Sequence, residues 1–438
     1  MILATTLQIL WLEDYNTRLV VLGTACLGIA AGAIGSLLLL RRRALIGDVI
    51  SHATLPGVGI AFLLMVAWGG SGRWMPGLLL GAATVGLLAA GLVVLIRKTT
   101  LLRDDAAMAI MLSTTFGLGI VLLSVVQESP AGTQAGLESM IFGKTASMVR
   151  SDAIGIGIAA LTVLTITATM FKEFRMLCFD EGFATSQGWP VGRLDLLLLL
   201  LGTAVTVIGL QAVGLILVLA LLIIPATAAR FWTDHLLTMM VVAAIIGGLS
   251  GWLGVTASAL ATGFPAGAVI VLVATGFFLI SLLIGRRRGV LGQVSHRIRR
   301  RRAADRQHLL RAVWEERERG KIVHADQLLH HRSWTRTHLN RLIRRGQARG
   351  DLRTESDGEV ILTERGEDSA RTVVRNHRLW ELFLIRHADI APNHVDRDAD
   401  AIEHVLSEQL VRELERLLDP DGRLPRNPHE LRAEEGST

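Results

Sequence analysis

Long apolar stretches fill the first two-thirds of the chain, and charged residues are rare among them. A helix that crosses a bilayer needs about 20 mostly apolar residues, because each residue rises about 1.5 Å through a hydrocarbon core about 30 Å thick. Nine stretches approach this length: 18–40, 46–67, 75–96, 106–126, 153–171, 194–210, 212–229, 236–257 and 264–285. The break around Gly209 to Gln211 is short, so the pattern predicts eight or nine membrane spans.

The pattern changes abruptly after Gly285. Residues 286–438 are rich in Arg, Glu, Asp and His, although only 19% of the whole chain is charged, below the quarter or so that is typical of soluble proteins. We therefore expect a membrane part and a water-soluble part. The only two cysteines, Cys26 and Cys178, lie far apart in the apolar part and indicate neither a disulfide framework nor a cysteine zinc site. Residues 1–17 contain a short apolar run interrupted by acids and predict an interfacial or periplasmic leader rather than a cleaved signal peptide.

Basic residues follow every second predicted span. They are Arg41, Arg42 and Arg43, then Arg97, Lys98 and Arg103, then Lys172 and Arg175, then Arg230, and finally Arg286, Arg287 and Arg288. Loops rich in Lys and Arg face the cytoplasm. With nine spans, this predicts an N-terminus outside the cell and a soluble C-terminal part inside it.

A carboxylate and an imidazole stand inside the second predicted span. Asp48 and His52 are four residues apart and share one helix face, and His52 lies about 14 Å beyond Arg43 along a helix. Ionisable groups at such depth usually face a bundle interior or a water-filled pathway, and an oxygen and nitrogen donor set suits manganese, iron(II) or zinc. Two alternatives stay open from spacing alone: Asp48 caps the helix start while His52 packs, or the pair carries protons.

The stretch LIGDVISHATLPG resembles the ABC-transporter permease family that imports zinc, manganese and iron(II). Two later stretches are similar to the same family, GLQAVGLILVLALLIIPATAARFW and FPAGAVIVLVAT. The resemblance covers about residues 18–285 and implies that Asp48 and His52 contact Mn²⁺, Fe²⁺ or Zn²⁺ on its way through the inner membrane of a bacterium. It also implies a cytoplasmic ATPase subunit, an extracytoplasmic metal-binding protein and a second permease copy or a sister permease, with no tightly bound cofactor.

A polar segment between the fifth and sixth spans, FKEFRMLCFDEGFATSQGWPVGRLD, resembles the helix that such permeases dock into their ATPase. The resemblance implies ATPase contacts by Asp180, Glu181, Ala184 and Gly188, whereas the alternative is an ordinary solvated loop. The chain contains no phosphate-binding G-x-x-x-x-G-K-[ST] loop. We therefore expect that the chain is not an enzyme and that ATP hydrolysis takes place in a separate subunit.

The soluble part begins with the basic run RRRGVLGQVSHRIRRRR, residues 286–302. Beside a membrane such a run binds anionic lipid more often than nucleic acid. Three helical stretches follow, and then two short extended pieces flank the turn signal Asp357-Gly358. Three helices and a hairpin are typical of a winged helix.

This winged-helix pattern and the helices after it resemble the diphtheria-toxin-repressor-like metalloregulators. The resemblance implies the metal ligands His377, Glu381, Asp400, Glu403 and His404. An acid at position 400 favours manganese or iron(II) over zinc, although the first-helix donor positions fall on the poor ligands Gln307 and Leu310. Nucleic-acid contact would use the recognition-like helix, through Thr335, Arg336, Thr337, His338 and Arg341. The alternatives are a degenerate structural domain or a cytoplasmic metal sensor that slows transport.

The predicted fold is therefore an all-α polytopic membrane protein with 8–9 transmembrane helices, followed by a cytoplasmic winged-helix and a helical metal-binding and dimerisation domain. The expected boundaries are 1–17, 18–285, 286–302, 303–370 and 371–438. The favoured function is a metal-importing permease with a regulatory module that takes a divalent metal. The alternatives are a membrane-tethered, metal-responsive transcription regulator and a secondary transporter, which needs no ATPase.

Overall fold

A computed structural model describes residues 14–41, 46–72, 74–128, 145–260, 264–331, 334–387 and 413–414. The chain divides into two compact units, Met1–Gln293 and Val294–Thr438. The predicted leader lies almost wholly outside the described residues, as do Asp400, Glu403 and His404.

The first unit is entirely helical in its described part. Its helices are α1 (Tyr15–Leu40), α2 (Ile46–Ala67), α3 (Met75–Thr99), α4 (Asp104–Glu128), α5 (Arg150–Thr169), α6 (Phe171–Phe179), α7 (Glu181–Ser186), α8 (Val191–Val213), α9 (Leu215–Arg230), α10 (Leu236–Leu260) and α11 (Ala266–Ile284). A single 3₁₀ turn, Thr145–Ser147, precedes α5.

Eight of the described helices are long and apolar enough to cross a membrane, which confirms the predicted all-α polytopic fold. The ninth apolar helix, α9, has 16 residues and is shorter than a full span requires. The break before it lies at Gly214, which ends α8 and begins α9 with a φ of +84°. Only glycine adopts this backbone readily, so the helix ends a few residues later than the sequence pattern suggested.

A seam of small residues joins α1 to α10 in the core of the membrane unit. A Cβ added to Gly28 would lie 2.3 Å from the carbonyl oxygen of Gly247, and one added to Gly32 would lie 2.4 Å from that of Ala243. Small residues allow helix backbones to approach this closely in lipid. The seam makes α1 a central helix, and the predicted spans 75–96 and 264–285 lie at the periphery with most of their residues less buried.

The second unit contains three helices, a hairpin and a long final helix. They are α12 (Val290–Glu318, which begins just before the unit boundary), α13 (Ala325–His331), α14 (Arg336–Ala348), β1 (Leu352–Thr354), β2 (Val360–Leu362) and α15 (Glu364–His387). The strands are antiparallel, with Leu352 opposite Leu362, and Gly358 in the turn has a φ of +86°. The expected boundaries at 302/303 and 370/371 fall inside α12 and α15, because each helix continues without a break.

Candidate metal pair and coupling segment

The side chains of Asp48 and His52 meet on one face of α2. The Oδ1 atom of Asp48 lies 3.4 Å from Nε2 of His52, and the two side chains are 28% and 21% exposed. Asp48 is in the first turn of the helix, where a carboxylate is stabilised by the helix dipole. The structure therefore brings the predicted pair together and leaves it partly open.

The other ring nitrogen of His52 has no hydrogen-bond partner among the described residues, although it is buried. The edge of the ring packs against Phe116 of α4, with 5.1 Å between ring centroids. Buried polar atoms normally have partners. The unpartnered Nδ1 atom and the carboxylate that faces Nε2 therefore make this imidazole a candidate ligand for a cation or a proton. The donor types suit manganese, iron(II) or zinc.

Close helix packing holds α2 in place around this pair. A Cβ on Gly57 would lie 2.3 Å from the carbonyl oxygen of Gly81 in α3, and one on Gly119 in α4 would lie 3.1 Å from Cδ of Pro56. Gly47, next to Asp48, allows the side chain of Leu222 in α9 to approach in the same way. The glycines and the proline of the predicted motif are thus packing residues that fix the helix carrying the pair.

The other two family-like stretches fall at helix junctions. Pro225 lies inside α9 and Arg230 is its last residue, whereas Pro265 caps the start of α11. The side chain of Gln211 lies outside the described residues. The two prolines and Arg230 of these stretches therefore mark the ends and the interior of helices in the bundle.

The predicted coupling segment forms α6 and α7 with a tight turn on either side. Asp180 caps α7, accepting a hydrogen bond from the backbone N–H of Phe183 at 2.8 Å, and Gly188 adopts a φ of +77°. Ala184 is completely buried, whereas Phe179, Phe183 and Trp189 are exposed. Asp180 and Ala184 therefore shape the segment, and the aromatic side chains, which the sequence analysis did not select, form its apolar surface.

Arg41 connects this segment to the bundle, a role that its place in a basic run did not reveal. Its guanidinium donates to Glu181 at 2.9 Å and to Asp195 at 3.1 Å. Positive charge after a span predicts orientation equally well for every arginine in a run. The signal in the sequence is Asp195, an acid that directly precedes the leucine run of α8 and that the structure shows to be buried.

In the second unit, His377 and Glu381 are buried one turn apart on α15. The Nε2 atom of His377 lies 3.1 Å from Oε1 of Glu381, and the guanidinium of Arg311 in α12 donates to Nδ1 of the same ring at 2.9 Å. The two donors fit the implied metal in type, but the arginine already supplies a positive charge beside them. Leu310, one of the expected donor positions, is a core residue.

The candidate DNA-contacting residues begin α14. The Thr335 side chain caps the helix, Arg336 pairs with Asp326 at 3.0 Å, and His338 lies 3.6 Å from Asp305. Arg341 is exposed. Thr337 is exposed as well, so two of the five candidate side chains already face carboxylates of their own domain.

Comparison with known proteins agrees with this two-part arrangement. Residues 13–285 match the ABC 3 transport family, and residues 363–432 match the iron dependent repressor, metal binding and dimerisation domain. The manganese transport system membrane protein MntC of Bacillus subtilis is 35% identical over 95% of both chains. The zinc transport system membrane protein TroC of Treponema pallidum is 40% identical over 66% of this chain and 95% of its own.

A solved structure, PsaBC from Streptococcus pneumoniae in complex with Fab, is similar to the membrane unit. It is 31% identical over 66% of this chain and 99% of that chain, with a TM-score of 0.56. The match to the family model covers more than half of the sequence, along the same residues that carry the Asp48 and His52 pair. The chain therefore belongs to the ABC 3 transport family, and a domain of the iron-dependent repressor type is fused to its C-terminal side.

Proposed function

We propose that this chain is the membrane-spanning permease subunit of an ATP-driven importer that brings a divalent transition metal into a bacterial cell. The observation that carries the proposal is the Asp48 and His52 pair, in which a buried imidazole nitrogen has no partner among the described residues. A membrane anchor would need no such pair, because ionisable groups in a bundle are costly unless they serve a pathway.

Manganese is the first candidate for the cargo. A relative that is similar along nearly the whole chain is named for manganese transport, and a carboxylate beside an imidazole suits a hard or borderline cation. Zinc is the second candidate, since a relative named for zinc transport has 40% identity to the membrane unit. Iron(II) suits the same donors.

A separate cytoplasmic ATPase would dock on the segment formed by α6 and α7. The exposed aromatic side chains of Phe179, Phe183 and Trp189 supply the apolar contact, and Glu181 and Gly188 lie beside them at the surface. Aromatic residues are enriched at the centres of protein interfaces. With α9 counted as the ninth span, the basic loops favour a cytoplasmic location for this segment and for the second unit. An extracytoplasmic metal-binding protein would then act on the opposite side.

A second copy of the chain, or a sister permease, would complete the pathway. The Asp48 and His52 side chains are partly exposed on the surface of the single chain, and Phe116 beside them is also exposed. An open polar face within a membrane requires a covering partner or water. The proposed pathway therefore runs along this face between two permease chains.

The second unit would act as a regulatory domain that responds to cytoplasmic metal. His377 and Glu381 offer an imidazole nitrogen and a carboxylate oxygen 3.1 Å apart in a buried position. The proposed ligands Asp400, Glu403 and His404 would add hard donors that suit manganese or iron(II). The regulatory metal would be exchangeable, because the positive charge of Arg311, which donates to the Nδ1 atom of the same ring, would weaken cation binding beside it.

Metal uptake into vesicles containing the permease and its ATPase tests the transport function. With Mn²⁺ outside and ATP supplied to the ATPase face, we expect Asp48→Ala and His52→Ala each to lower uptake by at least about tenfold, the scale on which metal-site changes act. Competition by Fe²⁺ and Zn²⁺ would rank the cargoes. Asp234→Asn, an exposed acid paired with Arg288, is the control and should transport normally. Full uptake by both alanine variants, at equal protein in the membrane, would contradict the proposal.

A further inference from the structure

A buried arginine joins the end of α1 to three other helices at one end of the membrane unit. The Nη1 atom of Arg41 donates to the carbonyl oxygen of Leu177 and to Oε2 of Glu181, both at 2.9 Å. The Nη2 atom donates to Oδ1 of Asp195 at 3.1 Å. The Arg41 side chain is only 8% exposed. One side chain thus links the ends of α1 and α6 and the starts of α7 and α8.

The backbone and the apolar side chains around Arg41 hold the same elements together. Arg41 caps α1, its N–H donating to the carbonyl oxygen of Leu37. The Cys178 thiol of α6 donates to that same carbonyl oxygen at 3.8 Å, and Phe174 and Leu177 are buried in the common core. The helical segment proposed to dock on the ATPase is therefore attached directly to the last turn of α1.

The two carboxylates that compensate Arg41 differ in their access to the surface. The Asp195 side chain is 11% exposed and belongs to the bundle, whereas that of Glu181 is 50% exposed and belongs to the segment. The planar guanidinium donates to both carboxylates at once in a fixed geometry, whereas a lysine ammonium is a compact charge without this geometry. A movement of the exposed segment would therefore change the ion pair between Glu181 and the buried Arg41.

Arg41 is also close in the chain to the metal pair. The helix that carries Asp48 and His52 begins at Ile46, five positions after Arg41. Energetic coupling between distant sites travels through packed side chains and hydrogen-bond networks that have discrete arrangements. We propose that Arg41 is the positioning residue that couples the α6–α7 segment to α1 and to the metal-carrying helix, an inference that rests on the proposed transport function.

Three single substitutions test this ion-pair connection in the full-length chain. Arg41→Lys keeps the positive charge but cannot donate through two separate nitrogens as the guanidinium does, and Glu181→Gln removes the exposed carboxylate. Asp234→Asn is the matched control, because it also removes a 50% exposed carboxylate whose ion pair has a similar length, 3.0 Å to Arg288. Arg41 is too buried to contact another subunit, so an effect of Arg41→Lys does not reflect a lost contact with the ATPase.

The first measurement is amide hydrogen exchange of the purified chain in lipid nanodiscs, without ATPase or metal. We expect exchange in residues 181–187 to be at least about fivefold faster in Arg41→Lys and Glu181→Gln, the lower end of common coupling effects, and unchanged in Asp234→Asn. Unchanged exchange in the first two variants would overturn the connection. This measurement decides on the ion pairs even if the chain proves not to transport metal.

The second measurement is the number of Mn²⁺ ions taken up per ATP hydrolysed in vesicles that contain the ATPase subunit. We expect this ratio to fall about fivefold or more in Arg41→Lys while ATP hydrolysis continues, and to stay at the wild-type value in Asp234→Asn. An unaltered ratio in Arg41→Lys would overturn the coupling role. A wild-type chain that stimulates ATP hydrolysis but moves no Mn²⁺ would instead contradict the transport function itself.

Discussion

At the scale of single residues, the position of the metal pair depends on a glycine with no room for a side chain. Gly57 follows Pro56 on α2, and a Cβ there would lie 2.3 Å from the carbonyl oxygen and 2.8 Å from the carbonyl carbon of Gly81. Both contacts are to backbone, which cannot rotate away. The helix carrying Asp48 and His52 would therefore have to move away from α3.

We predict that Gly57→Ala lowers the stability of the membrane unit by about 1–3 kcal/mol, the usual cost of an extra methyl group in a packed core. Gly91→Ala is the control, because a Cβ on this α3 glycine meets no other atom within 4 Å. Thermal unfolding of the purified variants in detergent would measure the difference. Equal melting temperatures for the two variants would mean that α2 and α3 move apart without a loss of stability.

The Cys178 thiol gives a prediction about pH. Burial raises its pKa to about 12, against the smaller opposing effect of the nearby Arg41 charge. Below that pH the thiol is protonated, and only about one molecule in 10⁴ holds the reactive thiolate at pH 8. We predict that iodoacetamide labels Cys178 of the folded protein very slowly at pH 8. The labelling rate should rise about tenfold for each unit by which the pH is raised, because the thiolate fraction rises by that factor. Labelling at the speed seen after unfolding in detergent would contradict the burial.

The sequence alone predicted the metal pair but not the arginine connection, for a physical reason. Asp48 and His52 are four residues apart, so the helix period alone brings them together. Arg41 is 140 residues from Glu181 and 154 residues from Asp195. No local pattern encodes such contacts, because they depend on how α1, α7 and α8 pack.

At the scale of whole elements, apolar runs predicted the helices within a few residues, and glycine conformation corrected the ends. The break between α8 and α9 lies at Gly214 because its positive φ ends the helix there. By contrast, the expected boundary at 302/303 carries no such signal, and α12 continues through it. A helix break at a glycine or proline can be predicted from the sequence. A domain boundary that falls within one continuous polar helix cannot, because no residue there interrupts the helix.

The hairpin between β1 and β2 bears on the alternative function of a tethered transcription regulator. Its turn carries Glu355, Asp357 and Glu359, whose carboxylate oxygens lie within 4.8 Å of one another. In a winged helix this hairpin approaches the DNA backbone, and three carboxylates there repel phosphate. Affinity for DNA depends strongly on neutralising phosphates with basic residues. The element therefore disfavours sequence-specific binding, although α14 has a recognition-like position.

We predict that the full-length protein in neutral-lipid nanodiscs binds duplex DNA only weakly, with a dissociation constant in the non-specific range of about 10⁻⁴ to 10⁻⁶ M at physiological salt. A fluorescence polarisation titration with unrelated duplexes would measure it. The triple variant Glu355→Gln, Asp357→Asn, Glu359→Gln should bind more tightly, and equally to every duplex. A preference of about 10³-fold for one sequence would be in the specific range and would support the regulator instead.

At the scale of the whole molecule, the fusion of two units needs an explanation. A relative with 35% identity along 95% of both chains spans the membrane unit and the repressor-like unit together, so the combination is not confined to this chain. A permease needs no metalloregulator in order to transport. The combination is explained if metal that has entered the cell fills the second unit and reduces further import. Such coupling requires that the second unit bind metal more tightly in the inhibited state than in the transporting state.

We predict that Mn²⁺ loaded inside vesicles, on the side of the second unit, slows ATP-driven uptake by the wild-type protein. His377→Ala should abolish this inhibition without changing the initial rate at low internal metal, because it removes a buried nitrogen donor 3.1 Å from Glu381. His296→Ala, an exposed histidine on α12, is the matched control and should remain inhibited. The coupling free energies of allosteric sites correspond to effects of about 5- to 150-fold, so the inhibition should be measurable in initial rates.

Equal uptake by the wild type at all internal Mn²⁺ concentrations would leave the second unit without a sensing role, and inhibition that persists in His377→Ala would place the inhibitory site elsewhere.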